Sequence, residues 1–400
     1  LIDFKALAEK YDTPLYIYDF EHIANRYEEL KKAFSGKKSL ICYAVKANSN
    51  LSVISHLAAL GSGADCVSIG EVKRALAAGV PKYKIIFSGV GKRDEEIEEA
   101  LKEDILLLNL ESEAEMDRVE QIAKRLQKEA RISIRVNPNI DPKTHPYIST
   151  GLHENKFGVD IETAKRIYIR AKNSPNLDPV GIHFHIGSQL TELEPIKEAA
   201  SIVADLVRSL KAIKIDIRFF DVGGGVGIVY DDEKTIDPAD YAKAIFSTLH
   251  GLDVTVVCEP GRFMVGNGGY FVTRVLYEKV NEGKRFIIVD GGMNDLLRPS
   301  LYNAYHKVEV VGREGEESEA DLVGPVCESG DFFAKNRLLP PTEPGDLVVV
   351  HSAGAYGFVM ASNYNTRPRP AEVAVEGDKE RCIRVRESFD DLVRLEKMCL

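Results

Sequence analysis

The sequence predicts an α/β protein in which a (β/α)8 TIM-type barrel is followed by an antiparallel β domain that also takes in the amino-terminal strand. Three observations carry this. Eight apolar, strand-like runs recur between residues 39 and 261, with helical patterns between them. The runs are apolar on both faces, as strands are when helices cover a parallel sheet, and roughly 220 to 250 residues is the size of such a barrel. From about residue 270 the period changes to short alternating runs separated by turn residues, the pattern of antiparallel pairing. A doubly wound open sheet is the competing architecture.

The elements follow in order. After a short helical opening, "PLYIYD" reads as a strand and "FEHIANRYEELKKAF" as an amphipathic helix with Ile23, Tyr27, Leu30 and Phe34 at helical spacing. The barrel strands are "SLICYAVK" (39–46), "GADCVS" (63–68), "KIIFSG" (84–89), "ILLLNL" (105–110), "ARISIRVN" (130–137), "PVGIHFHIG" (179–187), "IRFFDVGGG" (217–225) and "DVTVVCEPG" (253–261). Helices such as "GEVKRALAAG", closed by Gly79 and Pro81, fill the intervals. The connection 138–162 exceeds the usual loop length and reads as a functional loop. Beyond the barrel come "YFVTRVLYEKV", "KRFIIVDGG", "KVEVVG", "LVGPVC", "DLVVVHS", "AEVAVEG" and "RCIRVRE", then a closing helix in "DDLVRLEKMCL". The barrel domain is expected over 26–269, and the β-rich domain over 1–25 with 270–400.

Composition narrows the function. The chain is 44% hydrophobic and 28% charged, as soluble globular proteins are, and its net charge of -10 disfavours binding to nucleic acid. No run is long and apolar enough for a membrane helix, and the opening residues lack the zones of a secretory signal. Six scattered cysteines form no disulfide framework or C-x-x-C pair. A cytoplasmic protein acting on a small molecule, with no metal, is the expectation.

In a (β/α)8 barrel the active site forms at the carboxyl ends of the strands. Those ends carry Lys46, Asp65 and Ser68, Arg135 and Asn137, His183 and His185, Asp221 with a glycine triplet, and Glu259 with Arg262. A lysine at the barrel mouth is either a surface or ion-paired residue or, if its amine is desolvated, a nucleophile for a carbonyl. "DVGGGVG" lacks the third glycine of a dinucleotide fingerprint, since Ile228 stands there. It still offers backbone N–H groups to a phosphate, as does the second turn in "CEPGR". In "HFHIGSQ", His183 reads as a core residue, whereas the flat ring of His185 could stack on an aromatic ligand. Glu259 would be costly to bury unless paired, either with Arg262 or with a protonated pyridine nitrogen.

"YAVKAN", "HFHIGSQ", "DVGGGVG", "CEPGR" and "VGPVCESGD", in this order over nearly the whole chain, resemble the fold-type III pyridoxal phosphate-dependent decarboxylases. The resemblance implies a homodimer with shared active sites, the β domain contributing to both site and interface. It implies an internal aldimine between Lys46 and pyridoxal 5'-phosphate, His185 on the ring face and Glu259 on the pyridine nitrogen. Asp65, Ser188, Gly225, Gly261, Arg262 and Tyr356 would complete the cofactor site. Cys327 resembles the cysteine that the partner subunit places near the proton-transfer step. Glu328 could accept a distal ammonium group, and Arg298 with Tyr302 resembles the pair that binds a distal carboxylate, with Arg262 and Tyr356 also facing substrate. The implied reaction is decarboxylation of meso-2,6-diaminopimelate to L-lysine and CO2. Alternatives are an ornithine, arginine or carboxypolyamine decarboxylase, a racemase, a pyridoxal phosphate carrier, and a cofactor-independent aldolase using Lys46.

Overall fold

The computed structural model describes residues 1–142 and 156–400, so the expected functional loop over 138–162 lies partly outside the described residues. The contacts divide the chain into a barrel unit, Ala24–Ile228 with Lys234–Met264, and a β unit, Leu1–Ile23 with Val229–Glu233 and Val265–Leu400.

In the barrel unit eight parallel strands close on themselves: Ser39–Ala44, Gly63–Cys66, Ile85–Phe87, Leu107–Leu110, Ala130–Arg135, Leu177–His183, Phe219–Asp221 and Thr255–Cys258. The first pairs with both the second and the eighth, Ile41 opposite Cys258 and Cys42 opposite Gly63. The central strands are buried on both faces, which is why their sequences lack alternation.

The strands are shorter than their apolar runs. The first stops at Ala44, and Val45–Ala47 forms one 3-10 turn, so Lys46 sits just beyond the strand rather than on it. The chain has to turn there into the helix Leu51–Ala59, whose start Asn50 caps by accepting the Ser52 N–H at 2.8 Å. Ser68 likewise leaves the strand: its hydroxyl caps the helix Ile69–Ala77 by accepting the Glu71 N–H at 3.1 Å. Between the fifth and sixth strands the register slips near Pro179, and the buried Tyr168 hydroxyl bridges the gap, donating to Gly181 O and accepting the Ile134 N–H.

The β unit is a nine-stranded sheet. The strand Leu15–Asp19 lies between Gly269–Asn281, antiparallel to it, and Ala371–Glu376, parallel to it. A second parallel pair joins Lys284–Val289 to Ser318–Val323, so the sheet is mixed rather than wholly antiparallel. The partners in both parallel pairs come from segments distant in the chain, which no hairpin constrains to run antiparallel. The strand Phe332–Leu339 was not expected, because Lys335, Asn336 and Arg337 break its apolar pattern. Asn336 takes a positive φ of 50° and its N–H donates to Asp321 at 2.8 Å, which keeps this irregular strand paired. Leu7, Leu15, Ile17, Val272, Val349 and Val373 pack into a core under the sheet. The closing helix spans Phe389–Lys397, its start held by a reciprocal pair between Ser388 and Asp391. No helix among the described residues is long and apolar enough to cross a membrane.

Candidate active site

Three buried side chains meet at the carboxyl ends of the sixth, seventh and eighth strands. His183 and Asp221 are the last residues of their strands and Glu259 follows Cys258; one ligating atom from each lies within 4.8 Å of the others. Glu259 Oε1 is 3.1 Å from His183 Nε2, while its Oε2 is buried with no N–H donor among the described residues, and the neighbouring Asp221 carboxyl hydrogen-bonds to Glu259. Burial pushes the Glu259 carboxyl upward, but His183, with Asp221 and His185, outweighs it and holds the group at about 2. Burial and then the Glu259 charge push Asp221 well above the usual carboxylate range. The site thus keeps one carboxylate and one carboxylic acid side by side. Glu259 is partnered by His183 rather than Arg262, whose Nη2 donates to Ser188 Oγ at 2.9 Å.

The glycine turn is built by close approach. A Cβ at Gly224 would fall 2.2 Å from Glu259 O, and one at Gly225, where φ is +96°, would fall 2.1 Å from Gly187 O. The Gly223 N–H donates to Asp221 Oδ1 at 2.9 Å and the Gly224 N–H to His185 Nδ1 at 3.1 Å. The triplet therefore does not present three amides outward. Among the described residues no acceptor meets the Gly225 or Gly261 N–H. Because Nδ1 accepts, the His185 proton sits on Nε2. Burial, then the charges of Lys46 and Arg135, hold His185 well below its ordinary value, so the ring is neutral.

The opposite wall holds residues that the strand-end test passed over. Ser88 and Asn109 close the third and fourth apolar runs, a polar residue at a strand end being the signal that could have found them. Asn109 Nδ2 donates to Ser88 Oγ at 2.9 Å, and Ser88 Oγ donates to Asp65 Oδ1 at 3.1 Å. Burial pushes Asp65 well above its usual range, Glu259 adds to this, and the Lys46 ammonium opposes it. Lys46 is exposed. Arg135 pairs with the buried Glu111 at 3.0 Å, and its Nη2 has no acceptor among the described residues. Lys92, 1% exposed, pairs with Glu115 at 2.7 Å and also donates to Gly89 O and Asn109 O. Asn137 lies beyond the fifth strand, where its N–H donates to Val159 O at 2.7 Å.

Lys46, Asp65, His185, Ser188, Gly225, Glu259, Gly261 and Arg262 belong to the barrel unit, and Arg298, Tyr302, Cys327, Glu328 and Tyr356 to the β unit. In the latter, Arg298 is buried with its guanidinium 4.7 Å from the Tyr230 ring and 5.8 Å from that of Tyr302. Cys327 and Glu328 are exposed on one loop. Asp331 shapes that loop by accepting the Val326 and Met293 N–H groups, each at 2.7 Å. Tyr356 is half-buried at a positive φ of 54°.

Comparison with known proteins agrees with this geometry. A family model described as "Pyridoxal-dependent decarboxylase, pyridoxal binding domain" matches residues 20–266. A diaminopimelate decarboxylase of Campylobacter jejuni is 59% identical over all of both chains. The crystal structure of diaminopimelate decarboxylase from Helicobacter pylori, complexed with L-lysine, superposes with a TM-score of 0.97 at 57% identity, covering 100% of each chain. A lysine/ornithine decarboxylase of Vibrio vulnificus, complexed with cadaverine, is more distant: its TM-score is 0.81 at 26% identity, over 93% of this chain and 95% of the other. The chain belongs to the pyridoxal-dependent decarboxylases.

Proposed function

We propose that the chain is a carboxy-lyase that converts meso-2,6-diaminopimelate to L-lysine and CO2, the last step of lysine formation from that diamino acid. The observation that carries the chemistry is Glu259: a buried carboxylate whose Oε2 meets no N–H donor among the described residues, on a group held ionised at the base of a barrel mouth. Relatives at 59% and 57% identity carry the substrate reading, and the ornithine-type alternative is represented at 26%.

The residues fit pyridoxal phosphate. The orphaned Glu259 Oε2 suits a pyridinium N–H, and the Gly225 and Gly261 amides with Ser188 and Arg262 suit a phosphate. Lys46 would hold the cofactor through Nζ, with Asp65 beside it and His185 against the ring, and Tyr356 is a further candidate for holding the cofactor. Pyridoxal phosphate, when bound, supplies the carbon that captures the substrate amine and a cationic ring that accepts the electron pair left by CO2.

The chain's own groups set the conditions for this. Glu259 stays anionic because His183 faces it and Asp221 takes the proton in its place, so a pyridine nitrogen held there would meet a full negative charge. His185 stays neutral and does not oppose a cationic ring. Arg262 and Arg298 bring positive charge to substrate carboxylates, with Tyr302 and Tyr356 alongside. Cys327 Sγ holds a proton for the α-carbon and Glu328 accepts the distal ammonium group. Their exposure on the Asp331-shaped loop supports their being offered to a neighbouring copy, as a homodimer with shared sites requires. We place the enzyme in the cytoplasm.

The test is CO2 release and L-lysine formation from meso-diaminopimelate with added pyridoxal phosphate, beside ornithine and arginine. Faster turnover of ornithine or arginine would overturn the substrate assignment. Lys46→Ala is expected to lose the visible absorbance of covalently held cofactor; its persistence would remove Lys46 from that role.

A further inference from the structure

We infer that His306 is the positioning residue that fixes the Arg298 guanidinium for the substrate's distal carboxylate, an inference that rests on the diaminopimelate reading above. His306 is fully buried, and both ring nitrogens are assigned by their partners. Nδ1 lies 2.8 Å from His351 O, and a carbonyl only accepts, so Nδ1 carries the proton. Nε2 lies 3.4 Å from Arg298 Nε, which only donates, so Nε2 accepts. One neutral tautomer satisfies both contacts.

The surroundings hold that arrangement still. The Tyr230 ring meets His306 edge-on, centroids 5.3 Å apart, and also lies under the Arg298 guanidinium. Arg337 donates to His306 O at 2.7 Å. Arg298 begins the short helix Arg298–Tyr302, which Asn303 ends at a φ of 52° with its N–H on Arg298 O. With Nε tied to His306 and a tyrosine on its face, the guanidinium cannot turn about its last bond. The edge formed by Nη1 and Nη2 is then presented at a fixed angle, as two-point recognition of a carboxylate requires. An imidazole acceptor does this without neutralising the charge, which a carboxylate in its place would do.

The experiment compares wild type with His306→Leu, His306→Gln and Arg298→Gln, all loaded with pyridoxal phosphate. It measures kcat and KM for meso-diaminopimelate and the inhibition constant of cadaverine, which has no carboxylate. His306→Leu is expected to raise KM by on the order of 10- to 100-fold, with much smaller changes in kcat and in cadaverine inhibition. His306→Gln, whose amide retains a donor and an acceptor, is expected to recover most of the KM. If His306→Leu does not fold, His306→Asn takes its place, since its shorter amide keeps a donor for the His351 carbonyl and places no acceptor where Nε2 meets Arg298. An unchanged KM in Arg298→Gln would overturn the carboxylate role of Arg298 and this inference with it. A raised KM in Arg298→Gln with an unchanged KM in His306→Leu would overturn the inference alone. So would equal weakening of both ligands in His306→Leu.

Discussion

Buried acids in this protein take opposite protonation states according to what faces them. Glu259 has an imidazole at 3.1 Å and stays ionised; Asp221, facing Glu259, keeps its proton. Asp295 in the β unit is a third case. Burial raises its carboxyl to about 7, with the Gly292 N–H and Arg367 only partly opposing. The folded chain therefore binds this proton more tightly than the unfolded chain. That contribution to stability is whole below about pH 4 and is lost progressively as pH rises to about 7, above which it is flat. Denaturant midpoints measured across that window should fall with this slope, and Asp295→Asn should flatten it. None of this could be read from composition: Asp65, Asp221 and Asp295 look alike in sequence, and their states depend on neighbours brought from other strands.

At the scale of elements, the strand-end test located much of the barrel-side candidate site because the fold forces it. Lys46, Asp65, His185, Asp221, Glu259 and Arg262 sit at or just beyond the ends of apolar runs, where a parallel barrel gathers its polar residues. The test erred where an adjoining element claimed the residue, as the helix cap claimed Ser68. It missed Ser88 and Asn109, which lie in runs otherwise uninterrupted by charge. The glycine triplet was legible as a turn, whereas the assignment of two of its amides to Asp221 and His185 was not. Its tightness gives a direct expectation. Gly224→Ala should destabilise the protein by roughly 1–3 kcal/mol, because the added Cβ meets Glu259 O at 2.2 Å. Urea midpoints and retention of cofactor would both register the change. Gly91→Ala, where a Cβ would have nothing within 4 Å, should leave both as they are.

For the whole molecule, the proposed sharing of sites between two copies predicts complementation. Lys46→Ala and Cys327→Ala protein, each inactive or nearly so, should regain about a quarter of wild-type activity after mixing and exchange of subunits, because half of each mixed dimer is intact. Mixtures no more active than their components would show that each copy works alone. Motif order made the family legible over nearly the full chain, but periodicity could not supply the path the chain takes between its units. That path crosses four times, at residues 23/24, 228/229, 233/234 and 264/265. No single cut of the backbone separates the two units. The short excursion Val229–Glu233 is the notable part. It leaves the barrel unit three residues after Gly225 and carries Tyr230 to the face of Arg298. The glycine turn proposed to cradle the cofactor and the arginine proposed to select the substrate are thus linked by one brief length of chain, and an insertion or deletion there should be tolerated far less than its position on a loop suggests.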